Sequence, residues 1–397
     1  MPPLPSQSAL SGLTEKQRRH AVLSMSLCVA MLIAAEFMPV SLLTPIARDL
    51  NATDGLAGQA ISISGFFAVI ASLGIARLTA RLDRKPVLMA LTAAMLISLV
   101  MIAMAPNFGL LMLARALLGI VIGGFWSLAT ATVTRLVPPD QVARALGTLY
   151  MGNAVATAFA APIGSYLGGI IGWRGVFWVL VPIVALNLVW HWRSLPALPP
   201  QVGSAALGPL GLLKRRNVRF ALPAVMLTFA GAFSAFTYFR PFLETQTHVS
   251  LPQLSMLLFA LGLAGFVGTR GASITLDKHL YRLLGWSPFA LAIVTLVLLQ
   301  VSTLLWPVAI ALFIWGTLYS AIPVGWSAWM AHGVSDQAES AGGLIVAAIQ
   351  LAILLGGALG GLLLDHVSIQ ATFVGSTLLL VLASLIVGNG KRLRPAL

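Results

Sequence analysis

One carboxylate stands alone in a long apolar stretch near the start of the chain. Residues 21–50 read AVLSMSLCVAMLIAAEFMPVSLLTPIARDL, and Glu36 lies near their middle. An ionisable group at mid-depth in a membrane is costly unless it faces protein or water. We therefore expect Glu36 to face an internal cavity, where it takes up and releases a proton. Pro39 and Pro45 follow it, and each lacks a backbone donor and can bend or break the helix there.

Two arginines also lie within predicted spans or at their outer ends. A guanidinium stays protonated and needs a carboxylate, a carbonyl or water as its partner. Arg115 has no acid within reach on its own helix, so its partner is expected on another helix, and Glu36 is one geometric possibility. Arg240 has Glu244 one turn further on, which leaves it either an ordinary i,i+4 ion pair or a ligand for a substrate.

Aromatic residues inside the spans suggest a site for a flat molecule. Most of the tryptophans, Trp326 and Trp329 among them, lie near span ends, where such rings form interfacial belts. Trp126 and Trp315 lie deeper, and helical spacing puts Tyr319 on the same face as Trp315. These rings either pack helices together or stack on a heterocycle, and nearby polar groups either join helices or bind its edge. The candidate substrate-binding residues are Trp126, Asn153, Tyr238, Arg240, Trp315, Tyr319 and Gln350.

The composition indicates a membrane protein. Hydrophobic residues make up 58% of the 397 residues and charged residues only 9%, whereas soluble proteins carry about 25% charged residues. The net charge of +13 raises the possibility of nucleic-acid binding. Lys and Arg also fix the topology of multispanning proteins, so their positions decide between the two explanations.

Hydropathy divides the chain into twelve spans and predicts an all-α membrane protein built from two pseudo-symmetric six-helix bundles. The predicted spans are 21–44, 58–80, 87–105, 109–134, 142–171, 173–193, 220–243, 253–272, 283–303, 307–330, 340–364 and 370–389. The predicted divisions are an N-terminal segment 1–20, a first bundle 21–193, a linker 194–219, a second bundle 220–389 and a tail 390–397.

The basic residues are concentrated in every second connection between the predicted spans. With the N-terminus inside, Lys and Arg cluster on the inner side, and the outer loops hold only Arg48 and Arg174. This asymmetry predicts that both termini are cytoplasmic. It also accounts for the positive charge, so no nucleic-acid partner is expected.

Enzyme chemistry finds no support in the sequence. There is no phosphate-binding loop of the G-x-x-x-x-G-K-[ST] type, no nucleophile motif and no cluster of metal ligands. We expect no enzymatic activity, no cofactor and no metal. Without a nucleotide-binding loop, an ion gradient is the expected energy source.

Several motifs resemble the proton antiporters of the major facilitator superfamily, across essentially the whole chain. They include 36–46 (EFMPVSLLTPI), 115–124 (RALLGIVIGG) and 161–164 (APIG). The resemblance implies a multi-pass transporter of the bacterial inner membrane that works as a monomer, with Arg115 implicated in proton coupling. The loop 80–86 (ARLDRKP) departs from the family's gating pattern, since alanine stands at the acid position. The candidate gating residues are Arg81, Asp83 and Arg84, and Asp83 either replaces the missing acid or is a solvated charge.

Five further segments are similar to bacterial purine ribonucleoside efflux pumps of this superfamily: 36–44 (EFMPVSLLT), 123–127 (GGFWS), 135–139 (RLVPP), 236–241 (FTYFRP) and 323–327 (PVGWS). This resemblance implies export of nucleosides such as inosine or guanosine in exchange for protons. The alternatives are a proton-coupled sugar or multidrug exporter of the same superfamily and, from another class, a membrane receptor or scaffold that transports nothing.

Overall fold

The structure is a computed structural model that describes residues 14–79, 81–138, 141–199, 209–334 and 338–394. Several predicted segments extend beyond these residues: 1–13 of the N-terminal segment, Ala80 of the loop 80–86, Pro139 of the segment 135–139, 200–208 of the linker, 335–337 of the second bundle and 395–397 of the tail. Within the described residues, every regular element is a helix.

The helices are long and follow each other closely. They are α1 (Glu15–Asp49), α2 (Asp54–Leu78), α3 (Arg84–Ala103), α4 (Phe108–Leu136), α5 (Val142–Ser194), α6 (Pro209–Leu212), α7 (Arg216–Phe236), α8 (Phe239–Thr245), α9 (Leu251–Gln300), α10 (Leu305–Gly333), α11 (Ala338–His366) and α12 (Ile369–Val387), followed by a 3-10 turn at Lys391–Leu393.

Eleven helical segments of the described chain are long and apolar enough to cross a membrane. One of them contains almost all of α5, and α5 includes a break at Gly172, whose φ of 72° and ψ of 162° are not helical. A second break, at His279, divides α9 into two of the eleven segments. Counting α5 as two segments gives the twelve spans expected from hydropathy.

The helices form two groups, which we call the first half (α1–α5) and the second half (α7–α12). In the first half α1 packs on α5 and α2 packs on α4, while in the second half α9 packs on α10 and α7 packs on α11 and α12. One apolar core fills the first half, and a second core fills the second half and extends onto Val40, Leu43 and Ile61 of the first.

Glycines allow α2 and α4 to meet backbone to backbone. A Cβ atom at Gly119 would lie 2.2 Å from the Ser64 carbonyl oxygen, and one at Gly123 would lie 2.0 Å from that of Ala68. Such close approach is possible only for glycine. It also brings Arg115, one turn before Gly119 on the same face of α4, within reach of the α2 backbone.

The most extensive contacts between the two halves are made by three pairs of helices. These pairs are α2 with α11, α5 with α9, and α1 with α8. We call the face where α1 begins and α12 ends the terminal face, and the other the opposite face. The opposite face carries the α1–α2, α8–α9 and α11–α12 connections.

The predicted tryptophan belt is wrong for Trp326 and Trp329. Both rings are almost wholly buried and pack edge to face at 5.8 Å, and the Trp329 indole donates to the carbonyl of Leu393. The segment after α12 covers them, which their own helix does not reveal. Trp286 and Trp306 are 65% and 76% exposed, as expected for rings on a membrane-facing surface.

Candidate functional site

Glu36 lies inside the protein, in the middle part of a continuous helix. Its side chain is 5% exposed, and α1 runs unbroken through Pro39 and Pro45. Each proline lacks the N–H that would bond to the carbonyl four residues earlier. Pro39 therefore frees the carbonyl of Ala35, and Pro45 frees that of Ser41.

Arg115 takes one of these freed carbonyls. Its guanidinium is fully buried and donates to the backbone oxygens of Ala35 at 2.8 Å, Ala60 at 2.9 Å and Glu36 at 3.4 Å. The partner expected on another helix is thus backbone of α1 and α2. Arg115 also interacts electrostatically with the Glu36 carboxylate. A fixed cation therefore stands beside a carboxylate that it does not need as its hydrogen-bond acceptor.

Two residues of the second half reach the same carboxylate. The side chain of Gln350, on α11, interacts with the Glu36 carboxylate. Tyr319, on α10, is near enough for its hydroxyl to interact with the charge of Glu36. The neighbouring Phe37 ring contacts Phe233 across the two halves, with centroids 5.9 Å apart. The acid thus lies where the two halves meet.

An aromatic stack supports Tyr319. Its ring lies over Trp315 at 5.2 Å and over Phe236 at 6.3 Å, with interplanar angles of 19° and 11°. Trp315 is fully buried and donates its indole N–H to the Thr295 hydroxyl at 3.1 Å. Tyr319 is half-buried, so it is the member of this predicted pair that keeps free surface. In this conformation Trp315 is fixed by Thr295 and packs against the ring of Tyr319.

Trp126 and Asn153 belong to the first half alone. The half-buried Trp126 ring stacks on Tyr150 at 5.6 Å, and Tyr150 is 47% exposed. Asn153 is half-buried on α5, and its backbone carbonyl accepts from the Thr157 hydroxyl. The described contacts do not join either residue to the group around Glu36.

Tyr238 and Arg240 lie in the contact between the halves. The buried Tyr238 hydroxyl donates to the carbonyl of Gly357 at 2.8 Å. Arg240 is 6% exposed, pairs with Glu244 at 2.9 Å and donates to the carbonyl of Ser41 on α1. Both predicted substrate ligands thus have protein partners near the opposite face, and the ion pair expected with Glu244 is present.

The predicted gating residues lie at the terminal face. Asp83 caps α3 by accepting from the backbone N–H of Lys85 at 2.7 Å, so it is neither a simple solvated charge nor a partner for the second half in this conformation. Arg84 donates to the hydroxyl and carbonyl of Thr79, and Arg81 is exposed.

Several contacts between the halves lie near the opposite face. They include Arg240 of α8 with Ser41 of α1, and Ser255, which donates to Ser165 at 3.1 Å. Phe159 and Phe259 meet across the same α5–α9 seam at 5.8 Å. The structure is therefore closed at the opposite face.

Sequence reasoning missed the two freed carbonyls and Asp365. The proline positions were a usable signal, since the acceptor four residues earlier follows from helix geometry. Asp365, at the end of α11, accepts from Thr53 and Gly55 of the first half. Nothing in the residues around Asp365 signals its contact with Gly55, which is 310 residues away along the chain.

The arrangement supports proton exchange coupled to movement of the halves. A buried carboxylate can be neutralised, a fixed cation can favour its charged form, and the other half supplies an amide, a hydroxyl and a ring face. Among the described residues no group of three or more His, Cys, Asp or Glu side chains could hold a metal ion.

Comparison with known proteins identifies a family and similar proteins that cover most of the chain. The model of the Major Facilitator Superfamily matches residues 25–346. The chain is 47% identical over 371 residues to the transcription regulatory protein OpdE of Pseudomonas aeruginosa, with 91% of each chain covered. It is 39% identical over 368 residues to the purine ribonucleoside efflux pump NepI of Escherichia coli, covering 92% of this chain and 93% of that one.

A further efflux pump and a solved structure are similar over the same extent. NepI of Salmonella enteritidis is 37% identical over 375 residues, with 94% of each chain covered. A crystal structure of a bacterial homologue of the human lysosomal transporter Spinster, in an inward-facing and occupied conformation, superposes with a TM-score of 0.74. It covers 94% of this chain and 97% of that one at 16% identity, so this likeness concerns the fold.

Proposed function

The chain belongs to the Major Facilitator Superfamily, and we propose from that premise that it exports purine ribonucleosides such as inosine and guanosine in exchange for protons. It is a multi-pass membrane protein with a transporter fold, and neither the family nor the fold is that of an enzyme. The observation that carries the proposal is the buried Glu36, whose charge interacts with Arg115 of the first half and with Gln350 and Tyr319 of the second.

Glu36 is the proton carrier in this proposal. A proton that arrives from the outer side neutralises the carboxylate, which weakens its interactions with Arg115 and Gln350. The neutral site favours the state in which the outer face is closed. Release of the proton to the cytoplasm then accompanies capture of the next substrate. Arg115 keeps its backbone acceptors through these steps, so it stays in place while the charge of Glu36 changes.

The purine is expected to stack on Tyr319. The Trp315 and Phe236 rings fix the orientation of this residue, and a partly exposed aromatic ring is of the kind that binds a flat heterocycle. Gln350 can donate to and accept from a base edge or a ribose hydroxyl. The purine ribonucleoside efflux pumps that are 37% and 39% identical supply the substrate class.

The remaining parts of the proposal concern placement. The protein lies in the bacterial inner membrane with both termini in the cytoplasm, it works as a monomer, and its bundles are 21–193 and 220–389. The distribution of Lys and Arg supports this orientation. In this orientation the terminal face is cytoplasmic and the closed opposite face points outward.

Flux in proteoliposomes tests the proposal. Purified protein is reconstituted, and transport of radiolabelled inosine is followed with and without an imposed pH gradient. We expect gradient-dependent inosine transport that guanosine inhibits. Glu36→Gln keeps the shape of the side chain but cannot carry the proton, so gradient-driven transport should fall at least about tenfold.

Glu15→Gln is the matched control for that substitution. It makes the same chemical change on the same helix, at an exposed position at the start of α1, and should transport like the native protein. Full gradient-driven transport by the Glu36→Gln protein would show that the proton assignment is wrong.

Two kinds of alternative remain. A sugar or multidrug exporter would use the same fold. It would show no inosine flux, and it would instead transport sugars or hydrophobic cations. The name of the relative that is 47% identical, a transcription regulatory protein, favours a receptor or scaffold with a role in the control of transcription. Folded protein that transports none of these solutes would support that second candidate over export.

A further inference from the structure

At the opposite face, side chains of the second half bind backbone groups of the first. The clearest case is Asp365, in the last turn of α11. Its carboxylate accepts from the backbone N–H of Gly55 at 3.0 Å and from the hydroxyl of Thr53. Both donors belong to the start of α2.

This contact completes the N-terminus of α2. The Thr53 hydroxyl accepts from the N–H of Leu56 at 3.0 Å and donates its own hydrogen bond to Asp365. The first N–H groups of a helix lack partners within the helix and carry partial positive charge. Asp365 therefore supplies, from the other half, an anion that the start of α2 favours.

Asp365 is poorly placed for its own helix. An acid in the last turn faces the negative end of the helix dipole, so α11 alone would be more stable without it. Gly55 permits the close approach, because a Cβ atom there would lie 2.3 Å from the carboxyl carbon of Asp365. Both features favour the interaction between the halves over the stability of one helix.

Arg240 makes a second contact of the same kind. The missing N–H of Pro45 leaves the carbonyl of Ser41 free, and the Arg240 guanidinium donates to it across the seam. Glu244 holds the guanidinium from its own side at 2.9 Å. In each contact a charged side chain of the second half meets an unpaired backbone group of the first.

We propose that Asp365 and Arg240 are gating residues that hold the opposite face closed by binding backbone groups of α2 and α1. The contacts exist only while the halves meet there, so they stabilise this conformation relative to one that opens at that face. Asp365 is exposed, which keeps its contribution small enough to be broken in each transport cycle.

Distance measurements between spin labels test the proposal. The labels are placed at Met104 and Leu304, exposed positions at the opposite face in different halves, in full-length protein that carries Cys28→Ser. Asp365→Asn keeps the side-chain shape and removes the charge. We expect the population with the longer distance to rise roughly fivefold, since a charge-assisted bond is weakened. A second pair, at Arg144 and Arg282 on the terminal face, should shift toward shorter distances.

Gly55→Ala provides an independent variant, because it leaves Asp365 intact and displaces its carboxylate. It should give the same rise in the longer-distance population, and it tests the contact even if the Asp365→Asn protein does not fold. Pro45→Ala returns an N–H to the Ser41 carbonyl and should produce a smaller shift in the same direction. The matched control is Asp49→Asn, an acid at the same face whose partners Arg174 and Trp173 lie in its own half, and it should shift nothing.

Unchanged distances in both the Asp365→Asn and Gly55→Ala proteins would overturn the proposal for Asp365. Unchanged distances in the Pro45→Ala protein would overturn it for Arg240. The measurement uses no substrate, so its outcome does not depend on whether the protein carries nucleosides.

Discussion

Tyr319 is the aromatic residue near Glu36 that is both held in place and partly free. From the sequence its neighbour Trp315 was the stronger candidate, although helical spacing puts both rings on one face of α10. The indole N–H of Trp315 is taken by Thr295, a residue of α9, and the ring is fully buried. A partner on another helix decides which of the two rings stays partly exposed, and spacing within one helix cannot reveal that.

Substitutions of Tyr319 should separate stacking from hydrogen bonding. Tyr319→Phe keeps the ring, so inosine transport should retain a KM within about threefold of the native value, allowing for one lost hydrogen bond. Tyr319→Ala should raise KM about tenfold or more, since stacking on a base is worth about 1–3 kcal/mol. Initial rates in proteoliposomes give both values.

Trp286→Ala is the control for this pair, because its ring is 65% exposed and lies outside the site. Equal losses in the Tyr319→Phe and Tyr319→Ala proteins would show that the hydroxyl, and not the ring face, binds the substrate.

The elements were predictable wherever a local signal marks their ends. Gly172 divides α5 where the hydropathy boundary between 142–171 and 173–193 predicted. The end of α7 at Phe236 was missed, since the predicted span 220–243 continues through it. Pro241 explains this interruption, because it cannot bond to the carbonyl of Thr237, and α8 starts again at Phe239.

Gly172 should be intolerant of a side chain. Its φ of 72° and ψ of 162° lie in a region that is almost restricted to glycine. Gly172→Ala should cost about 1–3 kcal/mol and lower the thermal unfolding midpoint in detergent by several degrees.

Gly147→Ala is the contrasting change, since Gly147 lies within helical α5 and a Cβ atom there meets nothing within 4 Å. It should be neutral or slightly stabilising, because alanine favours a helix over glycine. Equal midpoints for the two variants would mean that the joint at Gly172 tolerates other backbone angles.

At the scale of the whole molecule, the sequence predicted the helical class and the number of spans, but not which face is closed. Both faces use the same helices, and the conformations of a transporter differ in a few contacts between its halves. Those contacts, such as Asp365 with Gly55, join residues about 300 positions apart and leave no periodic pattern.

The proposed orientation can be tested with fusions. A fluorescent protein attached after Leu397 should fold in the cytoplasm and fluoresce, because basic residues cluster at the terminal face. Alkaline phosphatase attached after Ala105, at the opposite face, should be active. The reverse pattern would mean that the protein has the opposite orientation in the membrane, with the closed face toward the cytoplasm.

The backbone anchoring of Arg115 has an electrical consequence. Because this cation is fixed to carbonyls of α1 and α2, the charge that moves in the proposed cycle is the proton on Glu36. A nucleoside such as inosine is neutral, so each exchange would carry one net positive charge inward. A charge crossing the membrane gains about 2.3 kcal/mol per 100 mV, whereas one pH unit supplies about 1.4 kcal/mol. Export would then draw on the membrane potential as well as on acidity outside, and it would continue in cells whose surroundings are neutral.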